Sequence, residues 1–223
     1  MAGSVAPILQ REGVKLILGR MEGPVAVGQY TILLQMGFFL FGLVYMISRP
    51  LWPAVADAAA RGHYDWVRGM RRRLVRWFFP LAGLAVGGFA VLGPWLAGHW
   101  LHREVGLDRG EFAVYFGSFV VMVWSYLHYV FLAGCGVLRG PAVVLAVETV
   151  VVLGLAVAGS HRYGLAGAMA GSMLGQLMCS AWLLPKMLGR RLREAGHTAP
   201  VAVAEVDAAE AVGRGVERAE GAA

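Results

Sequence analysis

The sequence predicts an all-α fold: a polytopic transmembrane helix bundle of about five full spans plus a partial N-terminal helix. Three observations predict it. Hydrophobic residues make up 58% of the 223 residues and charged residues only 15%, with a mean hydropathy of +0.60; a water-soluble domain of this size could not bury that much apolar surface. The apolar residues gather into stretches of about 20, the length that crosses the hydrocarbon core of a bilayer at about 1.5 Å rise per residue. The basic residues gather on alternate connections between those stretches.

Residues 1–24 form a partial transmembrane or interfacial helix and a junction. Pro7 to Arg20 is apolar, but Arg11, Glu12 and Lys15 interrupt it, so it lacks the order of a signal peptide and reads as the end of an additional helix. Residues 25–190 form the bundle, with spans at about 25–47, 78–98, 112–136, 142–159 and 164–184. Between the first two lies residues 49–77, where Arg49, Arg61, Arg68, Arg71, Arg72, Arg73 and Arg76 oppose only Asp57 and Asp65. By the positive-inside rule this segment is cytoplasmic. Within it Trp66, Val67, Met70 and Leu74 recur at helical spacing, the pattern of an amphipathic helix lying along the headgroups. Alternation then makes His99 to Glu111 external, the turn around Arg139 cytoplasmic, Ser160 to Tyr163 external, and Lys186, Arg190, Arg191 and Arg193 cytoplasmic. Residues 191–223 turn to Ala, Val, Glu and Gly without aromatics and read as a disordered cytoplasmic tail.

Two glycine stripes stand out. Gly167, Gly171 and Gly175 repeat every fourth residue along the last span, and Gly83 and Gly87 do the same on the second. Such stripes let a neighbouring helix approach closely, so all five are expected at helix-packing surfaces. Pro80 and Pro94 fall near the ends of the second span, where a lost backbone bond is tolerated.

The net charge of +6 and pI near 9.7 do not point to nucleic acid, because the basic residues flank apolar runs; membrane lipids are the expected partner. Cys135 and Cys179 lie inside apolar runs and imply neither a disulfide framework nor a metal site. There is no phosphate-cradling glycine loop, nucleophile elbow or metal-ligand spacing, the external His99, His102, Glu104, Asp108 and Glu111 included. No catalytic residue, metal or cofactor is expected.

A family resemblance rests on three places. Arg49-Pro50-Leu51-Trp52-Pro53-Ala54 through Arg61-Gly62-His63-Tyr64-Asp65-Trp66-Val67-Arg68 is the first. Leu16-Ile17-Leu18-Gly19 followed by Gly28-Gln29-Tyr30 is the second, and Tyr163-Gly164-Leu165-Ala166-Gly167-Ala168 the third. In order and spacing these resemble the C-terminal half of the polysaccharide transporter, or lipid-linked oligosaccharide (O-antigen-type) flippase, family of the multidrug/oligosaccharidyl-lipid/polysaccharide exporter superfamily. The resemblance covers about residues 8 to 190. It implies one half of a two-lobed exporter fold and export or flipping of a lipid-linked saccharide by alternating access, in lipopolysaccharide or polysaccharide biosynthesis at the inner membrane. It also implies a missing N-terminal half or second chain, because a cavity between two halves cannot be built from one. A glycan polymerase or ligase, and a non-transporting scaffold for glycan assembly, are the alternative functions.

Four residues are candidates for the chemistry of transport, because ionisable groups inside spans mark functional sites. Arg11 and Lys15 project from one face of the first helix; the resemblance makes that helix cavity-lining, and the pair would suit a pyrophosphate-linked saccharide. The alternative is a basic interfacial flank. Glu148 lies about 9 Å into the fourth span and His128 about 12 Å from the cytoplasmic end of the third, so the two are at similar depth and are candidates for proton coupling. The alternative gives each a local partner: Arg139 for Glu148, and a backbone carbonyl for His128. Gln35, Gln176, Ser118, Ser125 and Ser172 are expected to hydrogen-bond between helices.

Overall fold

The computed structural model describes residues 2–101 and 106–195. Among them there is no strand, and helices account for nearly every residue. In chain order these are α1 (Ala2–Met21), α2 (Pro24–Ser48), α3 (Leu51–Ala60), α4 (Tyr64–Leu101), α5 (Arg109–Gly134) and α6 (Arg139–Met178), then α7 over 180–195. The tail expected over 191–223 starts later than expected: residues 191–195 are the last turns of α7, with Leu192 and Ala195 buried, and the rest of it, like His102 to Val105 of the expected external loop, lies outside the described residues.

The amphipathic stretch and the second expected span form one helix: α4 runs 38 residues from Tyr64 to Leu101, with Pro80 and Pro94 inside it. An apolar environment favours this continuity, because each peptide group left outside a helix would lack a hydrogen-bonding partner there. The fourth and fifth spans are the two arms of a hairpin. Helical geometry in α6 breaks at Tyr163 (φ −136°, ψ 16°) and Gly164 (φ 58°, ψ −137°), the second a left-handed conformation that only glycine adopts without strain. Beyond the break the chain folds straight back. A Cβ on Gly167 would meet the backbone of Gly159, one on Gly171 that of Leu155, and one on Gly175 that of Val152. Each step of four forward on one arm is matched by about four backward on the other, so the arms are antiparallel and touch backbone to backbone along the glycine stripe. Gly83 and Gly87 differ: nothing lies within 4 Å of a Cβ at either.

Contacts fix the remaining directions. Gln10 meets Glu148 and Thr149, Gly13 abuts Leu153, and Ser160 donates to the Glu22 carboxylate at 3.3 Å, so α1 runs parallel to the first arm of α6. The α1–α2 junction, the hairpin turn and the start of α5 therefore share one end of the bundle. At that end α5 begins with a capping box: Asp108 Oδ1 accepts from the Glu111 amide at 2.7 Å and Glu111 Oε2 from the Asp108 amide at 2.9 Å. At the other end α5 stops at Gly136 (φ 77°), with the Val137 amide reaching back to the Leu132 carbonyl at 2.9 Å. That end also holds α3, the start of α4 and all of α7 after its first turns. Arg49, Arg61, Arg68, Arg71, Arg72, Arg73, Arg76, Arg139, Lys186, Arg190, Arg191 and Arg193 consequently crowd one end of the molecule.

The outside of this bundle is apolar. Leu16, Phe39, Met46, Ile47, Leu84 and Val150 are each more than 70% exposed, and no residue of the most apolar window of α4 is buried. Among the described residues four helical segments, Pro24–Ala60, Tyr64–Trp100, Arg109–Gly134 and the hairpin Arg139–Ala195, are long and apolar enough to cross a membrane. An apolar exterior around a partly polar interior is the arrangement a bilayer stabilises. The interior holds two hydrophobic clusters. One, around Leu18, Leu33, Phe112, Phe116 and Met169, lies toward the end with the hairpin turn. The other, around Val55, Val67, Phe131, Leu184 and Leu188, lies toward the basic end.

Candidate functional site

Between the two apolar clusters lies a layer of buried polar side chains. Cys179, at φ −104° and ψ −89°, breaks the second arm of the hairpin where α7 restarts. A broken helix leaves amides without a partner one turn earlier, and the Ser180 amide is satisfied from the opposite arm: it donates to Glu148 Oε2 at 3.0 Å. The second carboxylate oxygen accepts from Gln10 Nε2 of α1 at 3.2 Å. Gln10 also reaches Thr149 Oγ1 at 3.4 Å, and Ser180 Oγ shares a 2.7 Å hydrogen bond with Ser125 Oγ of α5. Glu148, 4% exposed, and Ser180, fully buried, thus tie α1, α5, α6 and α7 together at one depth. The carboxylate sits at the restarted N-terminus of α7, where the helix dipole favours negative charge.

His128 is 2% exposed and belongs to a different arrangement. Its Nδ1 hydrogen-bonds the Trp124 carbonyl one turn earlier at 2.9 Å, and its ring packs on the Trp124 indole at a centroid distance of 4.1 Å. Nε2 is buried without a hydrogen-bond partner among the described residues. The hydrogen bonds of Glu148 go to Gln10 and Ser180, so the two proton-coupling candidates are not bonded to each other. Arg139 is not a partner of Glu148 either. Trp124 is itself held by its indole N–H, which donates to the Ala181 carbonyl at 3.1 Å.

Of the uncharged polar residues in the spans, Ser125 bonds across helices as described. Ser172 instead bonds the Ala168 carbonyl of its own helix at 2.9 Å. Gln176 Oε1 is buried without a hydrogen-bond partner among the described residues, and Gln35 is exposed.

The second group is ionic and lies on α1 beside α2. Arg11 Nε is 3.1 Å from Glu12 Oε1 and Lys15 Nζ 3.3 Å from Glu12 Oε2. The Arg11 guanidinium also lies 4.6 Å from the centre of the Phe38 ring, a cation–π contact. Arg11 is about 15 Å along the axis from the α1 C-terminus, which is mid-depth for a span. Two cations share one carboxylate, so the group keeps a net positive charge. It faces outward, with Glu12, Leu16, Gln35 and Phe38 exposed around it. Gln10 and Arg11 are neighbours on α1, and the turn of about 100° between successive residues points one into the buried layer and the other to this outer face.

Sequence reasoning singled out Glu148, His128, Arg11 and Lys15 as candidates and did not single out Gln10, Glu12 and Ser180, which complete the surroundings of Glu148, Arg11 and Lys15. Glu12 was legible in principle, since a carboxylate at i+1 from Arg11 and i−3 from Lys15 is within reach of both. Ser180 was not, because nothing in the local sequence marks Cys179 as a helix break.

No protein-family model matches the chain, and no curated protein does. Among solved structures the chain is similar to the crystal structure of a MATE mutant, with a TM-score of 0.77 at 12% identity. The match covers 88% of this chain and 45% of that one, so the chain spans under half the length of the protein it matches. At this identity the likeness concerns the fold alone. The all-α bundle has the architecture of one half of the MATE fold, and the likeness singles out no family.

Proposed function

We propose that the chain is one half of a membrane transporter that works by alternating access, and that its cargo is a lipid-linked oligosaccharide or polysaccharide precursor. The observation that carries the transporter reading is the half-length fold likeness to a MATE protein. It favours a transporter over a glycan polymerase or ligase. The cargo reading rests on the three motif regions given above and on the ionic group of α1. A net cationic, outward-facing patch at mid-depth suits a pyrophosphate that must cross the bilayer, and Arg11 can offer paired donors to phosphate oxygens. In this reading the basic end faces the cytoplasm, and the outer face of α1 and α2 meets the other half of the transporter.

The test is reconstitution in liposomes with a fluorescent lipid-linked oligosaccharide, alone and with any second half encoded beside it. Flipping is expected in the paired preparation. Arg11→Gln with Lys15→Gln should reduce it about tenfold or more, the loss of one to two charge-assisted phosphate contacts. Absence of flipping from both preparations, or full flipping by the double variant, would overturn the cargo reading.

A further inference from the structure

The arginines of the basic end are not spread evenly. Five of them, Arg68, Arg71, Arg72, Arg76 and Arg193, line a single cleft of about 600 Å³ together with Val75, Gly189 and Leu192. Two helices build it. The first turns of α4 run antiparallel to the last turns of α7, held by Arg68, whose guanidinium donates to the Leu192 carbonyl at 2.6 Å while also pairing with Asp65 at 2.6 Å. Gly189 leaves room beside the Arg71 guanidinium, whose Nη1 lies 4.0 Å from where a Cβ would stand. Arg72 and Arg76 are one turn apart on α4, and no hydrogen bond or ion pair engages either among the described residues. Concentrating like charge in a concave site is unfavourable unless an anion occupies it.

The surroundings identify the anion. Trp77 follows Arg76 directly on α4 and Phe79 lies two residues further, and Trp182 lies at the same level on α7 by the antiparallel register. All three are more than 60% exposed. Exposed aromatic rings next to an arginine cluster mark the headgroup level of a bilayer, and Val75 and Leu192 give the cleft an apolar wall. A soluble phosphate would use the charge and leave the rings and wall unmatched. A phospholipid uses all three: phosphate on the guanidinium groups, glycerol at the aromatic belt, acyl chains along the apolar face of α4.

We propose that this cleft between α4 and α7 is a binding site for the phosphate headgroup of an anionic phospholipid. The site is independent of the transport reading, since it needs only a membrane and this chain.

It is tested by native mass spectrometry of the detergent-solubilised chain, titrated with phosphatidylglycerol and with phosphatidylcholine of the same acyl chains. The wild type should favour phosphatidylglycerol about tenfold or more, and Arg72→Gln with Arg76→Gln should remove most of that preference, at about a kilocalorie-scale contribution per surface arginine. Arg73→Gln with Arg190→Gln removes the same charge from exposed positions outside the cleft and should change the preference less than about twofold. Equal binding of the two lipids would overturn the proposal, as would equal losses in the two double variants, which would mean diffuse attraction. Displacement of the lipid by equimolar inorganic phosphate or pyrophosphate would also overturn it, in favour of a soluble phosphate ligand. Thermal unfolding of each variant at the wild-type temperature shows that the losses are not losses of fold.

Discussion

Gly171→Ala and Gly83→Ala make the same chemical change on two stripes that look alike in sequence, and the structure predicts effects of opposite sign. At Gly171 the added methyl would overlap the Leu155 carbonyl and crowd the Ala156 amide nitrogen at 3.0 Å, while at Gly83 it would meet nothing within 4 Å. Carbon atoms approach to about 3.5–4.0 Å at best, so the arms of the hairpin must separate by roughly 1 Å. Such a gap forfeits a quarter to a half of each contact, and on the order of thirty atom pairs at 0.1–0.2 kcal/mol gives a loss of about 1–2 kcal/mol. Overpacking of this kind costs about 1–3 kcal/mol when measured. Alanine's helix propensity returns at most about 1 kcal/mol of this, and at Gly83 it acts alone. The expected difference between the variants is therefore about 2 kcal/mol, with Gly171→Ala the less stable. Reversible unfolding in mixed micelles, followed by circular dichroism, measures it. Equal shifts for the two variants would refute the backbone contact between the arms.

Two other substitutions report on the polar layer and on the opposite end. Glu148→Ala leaves the Ser180 amide buried without an acceptor and should cost about 1–3 kcal/mol in the same unfolding assay; Glu148→Gln keeps one acceptor oxygen and should recover most of it. A Gln variant as unstable as the Ala variant would show that the charge, not the hydrogen bond, matters there. Asp108→Ala removes half of the capping box of α5 and should cost about 1 kcal/mol, with amide exchange accelerating first at Glu111; unchanged exchange would mean that the cap is idle.

How much was legible in the sequence follows from which interactions are local. The spans were legible because length and apolarity are properties of one segment, and the basic end because charge is written residue by residue. What joins the segments was less so. Gly167 and Gly83 sit in the same four-residue repeat, yet one touches backbone and the other faces outward, because a stripe says that a helix can approach and not that one does. The continuity of α4 was hidden by a change of composition at Trp77, where an arginine-rich stretch meets an apolar one. Backbone hydrogen bonding runs through such a change, since it depends on dihedral angles and not on side-chain polarity.

The placement of Glu148 carries the same lesson into function. A carboxylate in a span is costly unless its oxygens are satisfied, and sequence depth alone offered His128 or Arg139 as the partner. The structure satisfies it with an amide freed by the break at Cys179 and with one side chain from α1. Both donors are uncharged, so the carboxylate is held by hydrogen bonds and by the N-terminal dipole of α7. A tilt of α1 relative to the hairpin would therefore separate Gln10 from Glu148 and leave the Ser180 bond intact. Because Arg11 follows Gln10 directly, the same tilt would move the cationic group on the outer face. Any displacement of α1 is thus registered at once in the buried layer and at the candidate cargo surface, through two consecutive residues that point in different directions.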